Sequence, residues 1–156
     1  MRRLVVAMVL GLIASLGAAV APASAVNIGR EGCTPGYWKN HTDNWQEAYP
    51  DALFSAKFGT AGTSLGGKTL LDTLQGGGGP GVAGAETILA RAATAAYLNA
   101  AHEGLGFPWR RTDWGLDGRP PLVPTVRDAI NTGNRATMLA LATRLDADNN
   151  LGCPLN

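Results

Sequence analysis

The chain has 156 residues, of which 13 are Lys or Arg and 12 are Asp or Glu, so its formal net charge is +1. This length is that of one ordinary domain, and the balanced charge argues against a nucleic-acid-binding protein, which normally carries a basic face. Glycine is frequent at 21 residues and charged residues make up only 16% of the chain, which excludes a long coiled coil or a charged disordered tail.

Residues 1–25 have the three-part pattern of a secretory signal peptide. Two arginines follow the initial methionine, residues 4–20 are an almost unbroken apolar run, and residues 23–25 form a small-residue cleavage site. An uncleaved membrane anchor is the alternative, because an apolar run of about 18 residues can span a bilayer. We favour cleavage before Val26, which leaves residues 26–156 as a single secreted helical domain without a membrane attachment.

Cys33 and Cys153 are the only cysteines, and they lie near the two ends of the secreted part. An even count in an exported chain predicts a disulfide, which here closes nearly the whole domain into one loop. In the chain-entropy treatment, closing so long a loop stabilises the fold by roughly 4–5 kcal/mol. A metal site on both thiolates is the alternative, but neither cysteine belongs to a Cys-x-x-Cys pair.

Helical periodicity and capping residues predict a small all-α domain of four to six helices, joined by long Gly- and Pro-rich loops. No segment alternates between polar and apolar residues as a half-buried strand does. Residues 27–36 are expected to be irregular, with a turn at residues 34–36. The predicted helices begin at Thr42 or Asp43, then cover residues 50–57, 68–74, 83–102 (ended by Gly104), 124–131 and, after the cap Asn134, 135–145.

Residues 105–124 form an unusually long predicted connection that places two tryptophans and three arginines among glycine and proline. Indole rings offer flat faces to a sugar ring or a guanidinium, and loops often carry binding function. The alternative is that both tryptophans fold back to fill space beside the alanine-rich helix. The candidate ligand-binding residues are Trp109, Arg110, Arg111, Trp114 and Arg119.

The two histidines, His41 and His102, are candidate metal ligands, with Asp43, Glu103 or Asp148 supplying a carboxylate. Imidazole and carboxylate together suit zinc or a similar ion. No His-x-x-x-His spacing places two such ligands on one helix. The alternative is therefore that His41 hydrogen-bonds within the N-terminal turn and that His102 caps a helix.

A second candidate metal site is the oxygen-rich stretch of Asp146, Asp148 and Asn150, which resembles the start of a calcium loop. Its glycine comes one residue later than such a loop requires, and no bidentate glutamate follows. These side chains also suit a helix exit before Cys153. We therefore expect no cofactor, with zinc or calcium as the alternatives.

Residues 33–41, Cys-Thr-Pro-Gly-Tyr-Trp-Lys-Asn-His, resemble the opening of a group of secreted bacterial and archaeal proteins that begin with Cys-Thr-Pro-Gly-aromatic-Trp-Lys-Asn-His. Residues 92–102 are similar to the central alanine-rich helix of that group, and residues 145–155 are similar to its closing motif. The resemblance implies an exported, disulfide-closed domain and implies no particular activity.

The sequence thus favours a monomeric extracellular structural or interaction module that is not an enzyme, with a glycan or a protein as its partner. The alternative is a small metal-binding protein or metal-dependent enzyme centred on His41 and His102. A phosphate-loop pattern at residues 62–69 lacks the preceding strand that such loops require, and we interpret it as a glycine-rich loop.

Overall fold

The computed structural model describes residues 30–155, and this part of the chain folds into six α-helices without a β-strand. The all-α class predicted from the sequence is therefore confirmed. None of the helices in this range is long and apolar enough to cross a membrane. The predicted signal peptide lies outside the described residues. The helices are α1 (Pro35–Asn40), α2 (Phe54–Phe58), α3 (Leu70–Gln75), α4 (Gly81–Asn99), α5 (Leu122–Asn131) and α6 (Arg135–Asn149).

Helix α4 is the centre of the fold, and α1, α3, α5 and α6 all pack against it. Thirteen of its 19 residues are buried, so it is covered on nearly every side rather than along one stripe. Alanine makes this possible, because small side chains let neighbouring helices approach closely while preserving a high helix propensity. The large side chains of the core, including Trp38, Phe107 and Trp109, come from the helices and loops around α4.

The N-terminal end of the domain differs from the prediction. Thr34 caps α1 by accepting a hydrogen bond of 3.1 Å from the Tyr37 amide, and Pro35 occupies the first helical position. The predicted turn at residues 34–36 is thus the start of a helix, since Pro fits a first turn where no N–H partner is needed. The helix predicted from Thr42 or Asp43 is a single 3₁₀ turn over Thr42–Asn44.

The later helices lie close to their predicted positions. Asn134 caps α6 by accepting a hydrogen bond from the Thr137 amide, as predicted, and the helix continues four residues beyond Leu145. Helix α5 begins two residues before Pro124, which lies in the first turn and therefore breaks no helical hydrogen bond. Helix α4 ends at Asn99 rather than near Gly104.

The predicted disulfide joins Cys33 to Cys153 and closes the domain. Beside it, the Gly32 amide donates a hydrogen bond of 2.9 Å to the Gly152 carbonyl. Gly32 lies so close to α6 that a Cβ atom there would overlap the Asp148 carbonyl oxygen. Only a residue without a side chain therefore lets the two ends of the chain meet in this way.

Candidate functional site

The long loop between α4 and α5 is fastened to itself by its own backbone. The Leu116 amide donates to the Pro108 carbonyl at 2.7 Å, and the Gly115 amide donates to the Arg119 carbonyl at 2.8 Å. A Cβ atom at Gly115 would overlap the Pro108 carbonyl oxygen, so this crossing of the two loop arms requires glycine. The loop is consequently a fixed structure rather than a flexible connection.

Trp109 is fully buried at the base of this loop. Its Nε1 donates a hydrogen bond of 2.7 Å to Asp148 Oδ2, and the Arg144 guanidinium lies 5.0 Å from the centre of its ring. Trp109, which was predicted to contact a ligand, therefore has no exposed face in the structure. Its role is the alternative one of filling space in the core of an alanine-rich domain.

Asp148 also holds Arg119 in a two-pronged ion pair. Arg119 Nε lies 2.9 Å from Oδ2, and Arg119 Nη2 lies 2.8 Å from Oδ1. Burial raises the pKa of Asp148, but hydrogen bonds from Arg119 and Trp109, with the charges of Arg119 and Arg144, outweigh burial and hold that pKa below its ordinary value. Arg119 thus ties the loop to α6, so the guanidinium that was predicted to bind a ligand is paired with Asp148 in the structure.

Replacing Asp148 with asparagine should lower the free energy of unfolding at neutral pH by about 2 kcal/mol, because the charge-assisted bonds to Arg119 are weakened. Since the pKa of Asp148 is depressed in the folded state, its stabilising contribution is present above about pH 4 and is lost as the pH falls through the folded-state value. Asp148→Asn should therefore lose less stability than the wild type in acid. Urea unfolding at a series of pH values measures both effects.

Asp128→Asn is the matched control, because Asp128 is exposed and its only ion pair in the described structure is to the neighbouring Arg127. Its free energy of unfolding should change by less than about 0.5 kcal/mol. If Asp148→Asn proved equally mild and kept the wild-type acid sensitivity, Asp148 would not be an anchor of the loop.

Arg111, another of the predicted arginines, also fastens the loop to the domain. Arg111 Nη1 pairs with Glu47 Oε2 at 2.7 Å, its Nε donates to the Tyr97 carbonyl at 3.1 Å, and its guanidinium lies 3.9 Å above the Tyr97 ring. Arg110 donates to the Phe107 carbonyl at 3.2 Å. Arg111 is therefore engaged with the body of the domain, whereas Arg110 is exposed and bonds to its own loop.

Trp114 stands at the tip of this fastened loop and is 70% exposed. Its exposed neighbours include Thr112 and Asp113, while Leu116 is 37% exposed. Of the two tryptophans predicted to bind a ligand, Trp114 is the one with an exposed ring. Trp109, Arg111 and Arg119 hold in place the loop that displays it, whereas Arg110 is exposed.

The two histidines are engaged with neighbouring groups. The exposed His41 ring stacks on Tyr37 with centroids 4.3 Å apart. His102 Nε2 lies 2.8 Å from the Asn44 carbonyl oxygen, and its ring lies against Trp38. Within residues 30–155, no group of three His, Cys, Asp or Glu side chains is arranged to hold a metal ion. The structure adds nothing that favours zinc at these positions.

The oxygen-rich stretch after Leu145 is not an open loop. Asp146 and Asp148 lie two residues apart on α6, so they point to different sides of the helix. Asp148 is occupied by Arg119 and Trp109, and Asn150 Nδ2 donates to the Asp146 carbonyl at 2.7 Å. The structure therefore does not bring Asp146, Asp148 and Asn150 together as a calcium site requires.

A buried pair of asparagines joins the three segments that carry the sequence resemblance. Asn99 Oδ1 accepts hydrogen bonds from the Cys33 amide at 2.8 Å and from Trp38 Nε1 at 3.0 Å. Asn99 Nδ2 donates to the Cys33 carbonyl and to Asn149 Oδ1, both at 2.9 Å. Asn149 in turn donates to the Ala92 carbonyl at 3.0 Å. The motif residues gathered here hold the fold together.

Local sequence patterns assign no role to Asn99 or Asn149. The one sequence signal for such a role is an asparagine within a run of alanine and other small apolar residues, at a helix position that the apolar pattern predicts to be buried. A buried amide needs partners for both its oxygen and its nitrogen, and those partners come from segments far apart in the chain. Their positions were therefore not deducible from local periodicity.

Comparison of the chain with protein-family models, with curated proteins and with solved structures finds no match in any of the three.

Proposed function

We propose that the mature protein is an exported, non-enzymatic binding module that recognises extracellular glycans, and that Trp114 is its principal contact. The observation that carries this proposal is the 70% exposure of Trp114 at the tip of a loop whose arms are fastened by hydrogen bonds and ion pairs. Exposing a large aromatic side chain to water is unfavourable. Holding it there on a rigid support favours a role in binding.

The rigidity of the loop bears directly on affinity. A binding surface that is already ordered loses little conformational entropy when it meets a ligand. Tryptophan adds to this advantage, because it offers a large contact area with only two side-chain torsions. The ion pairs of Arg111 and Arg119 to the body of the domain supply that order before any ligand arrives.

The surroundings of Trp114 favour a sugar ring over a protein partner. Stable protein interfaces cover about 800 Å² on each side and centre on several large apolar residues. The sequence neighbours of Trp114 include one apolar residue, Leu116, and exposed polar residues such as Thr112 and Asp113. A sugar ring combines an apolar face, which can stack on the indole, with hydroxyl groups that can bond to those polar side chains.

Two features support the export of the protein. The first 25 residues have the composition of a secretory signal peptide, and the Cys33–Cys153 disulfide is of a kind that persists in oxidising compartments. An extracellular location would place Trp114 among cell-surface and matrix polysaccharides.

Trp114→Ala should leave the fold intact and strongly weaken glycan binding. An anchor tryptophan contributes about 2 kcal/mol or more to binding, so the affinity should fall roughly thirty-fold. A glycan array screened with the wild-type protein identifies the best ligand, and isothermal titration calorimetry compares the two proteins on it. Circular dichroism and the melting temperature verify that the variant is folded.

Tyr49→Ala is the matched control, because Tyr49 is also a large exposed aromatic residue, at 76% exposure, and lies outside the loop. Its binding should equal that of the wild type. Absence of binding to any glycan on the array would overturn the assignment of the ligand. Equal losses for Trp114→Ala and Tyr49→Ala would overturn the assignment of the site.

A further inference from the structure

The domain also contains a separate cleft of about 400 Å³. Its walls come from the start of α1, from the glycine segment 76–78 between α3 and α4, and from facing positions on α4 and the end of α6. No residue of the loop that carries Trp114 lines it. Its volume falls within the range of small-molecule sites.

Two residues of opposite charge line this cleft without forming an ion pair with each other. Arg91 on α4 and Asp146 on α6 both face it. Within the described residues, neither side chain makes an ion pair or a hydrogen bond, although they lie near enough for the charge of Arg91 to act on Asp146. Two residues further along α6, Asp148 is bound by both Arg119 and Trp109. Arg91 and Asp146 therefore differ from the nearby Asp148, whose carboxylate has both an ion-pair and a hydrogen-bond partner.

Asp146 is partly buried, so its charged carboxylate is destabilised when no partner replaces the lost water. Burial raises the pKa of the Asp146 carboxyl, and the positive charge of Arg91 only partly opposes that effect. A carboxylate in this position is stabilised by a cationic hydrogen-bond donor, which forms shorter and stronger bonds than a neutral hydroxyl does. A bound ammonium group would provide such a donor.

We propose that this cleft binds a small zwitterion, an amino acid or a short peptide, whose ammonium group pairs with Asp146 and whose carboxylate pairs with Arg91. Arginine suits the carboxylate because its planar guanidinium can bind both oxygens at once. Ile88 and Ala92 supply an apolar wall beside these charges for the ligand's side chain. The open rim at Gly77, where a Cβ would meet nothing within 4 Å, leaves room for a ligand to enter.

The test begins with the full secreted protein and a panel of protein amino acids and their glycyl dipeptides, titrated by ligand-observed NMR. The best ligand is then measured by isothermal titration calorimetry in three forms: unmodified, N-acetylated and as the methyl ester. Removing either charge of the ligand should weaken binding roughly tenfold or more, because each charged group has its own partner in the cleft. A free amino acid and a dipeptide are distinguished by which of them binds more tightly.

Two variants of the protein test which cleft residue binds each charged group of the ligand. Asp146→Asn should weaken the unmodified ligand roughly tenfold and leave the N-acetylated form unaffected, whereas Arg91→Gln should weaken the unmodified ligand similarly and leave the methyl ester unaffected. Asp128→Asn, which removes an exposed carboxylate on α5, should bind like the wild type. The proposal is overturned if nothing in the panel binds below about 10 mM, if the N-acetylated ligand binds as tightly as the free one, or if Asp128→Asn weakens binding as much as Asp146→Asn.

Discussion

Replacing both Cys33 and Cys153 with alanine should lower the free energy of unfolding by about 5 kcal/mol, because the disulfide restricts a loop with a sequence separation of 120 residues in the unfolded chain. That amount is comparable to the whole stability of a small domain. The double variant should therefore be largely unfolded or protease-sensitive at 37 °C. Guanidinium unfolding monitored by tryptophan fluorescence measures the difference.

The paired substitution is needed because a single change would leave a reactive thiol. The wild-type protein treated with a reducing agent provides an independent control, since it loses the same cross-link without any change of side-chain volume. Both should show similar destabilisation. A double variant within about 1 kcal/mol of the oxidised wild type would show that the disulfide does not stabilise the fold as the chain-entropy treatment requires.

Asn99→Leu should be the most damaging change among the buried polar residues, lowering the free energy of unfolding by about 4 kcal/mol. Leucine is similar in size to asparagine but offers no hydrogen bonds. The Cys33 amide, the Trp38 indole and the Asn149 side chain would each lose a partner in a place that water does not reach. Chemical denaturation at neutral pH provides the measurement.

Asn131→Leu is the matched control, because it makes the same chemical change at an exposed position at the end of α5. Its effect should stay within about 0.5 kcal/mol, as is usual for surface substitutions. If the two variants proved equally stable, the asparagine network would be a consequence of the fold and not one of its supports.

Local patterns were sufficient for the helical architecture. The alanine-rich run predicted α4, and the cap at Asn134 predicted the start of α6, because both depend on residues next to each other in the chain. Thr34 and Pro35 were equally informative about α1, but Thr-Pro-Gly is typical of a turn as well as of a helix start. The even number of cysteines in a chain with a signal-peptide pattern predicted the Cys33–Cys153 disulfide without any structural information.

The candidate binding site was only partly predictable, because its residues belong to an irregular segment. Trp109 and Trp114 lie five residues apart in a loop that has no periodicity, so nothing in the sequence indicates which ring is buried. The partner that decides the question is Asp148, which lies on another helix and takes hydrogen bonds from Trp109 and Arg119 together. A contact across such a distance in the chain is set by tertiary packing.

The sequence also does not predict the zwitterion cleft, because its two charged residues are brought together by tertiary packing. Asp146 was noticed for its spacing to Asp148, but a helix turns those two side chains apart and directs Asp146 towards Arg91 on α4. Nothing in the sequence distinguishes Arg91 from an ordinary polar residue on the surface of an alanine-rich helix. What distinguishes the pair is that neither side chain has an ion-pair or hydrogen-bond partner among residues 30–155, and a sequence cannot display that.

The bond between Cys33 and Cys153 also determines how the domain responds to mechanical tension. A pulling force transmitted through the chain before Cys33 and after Cys153 passes directly across the sulfur–sulfur bond. Residues 34–152, including α4 and the loop that carries Trp114, lie outside that line of force. The domain can thus transmit a load along the chain while its helices and its exposed indole remain in place.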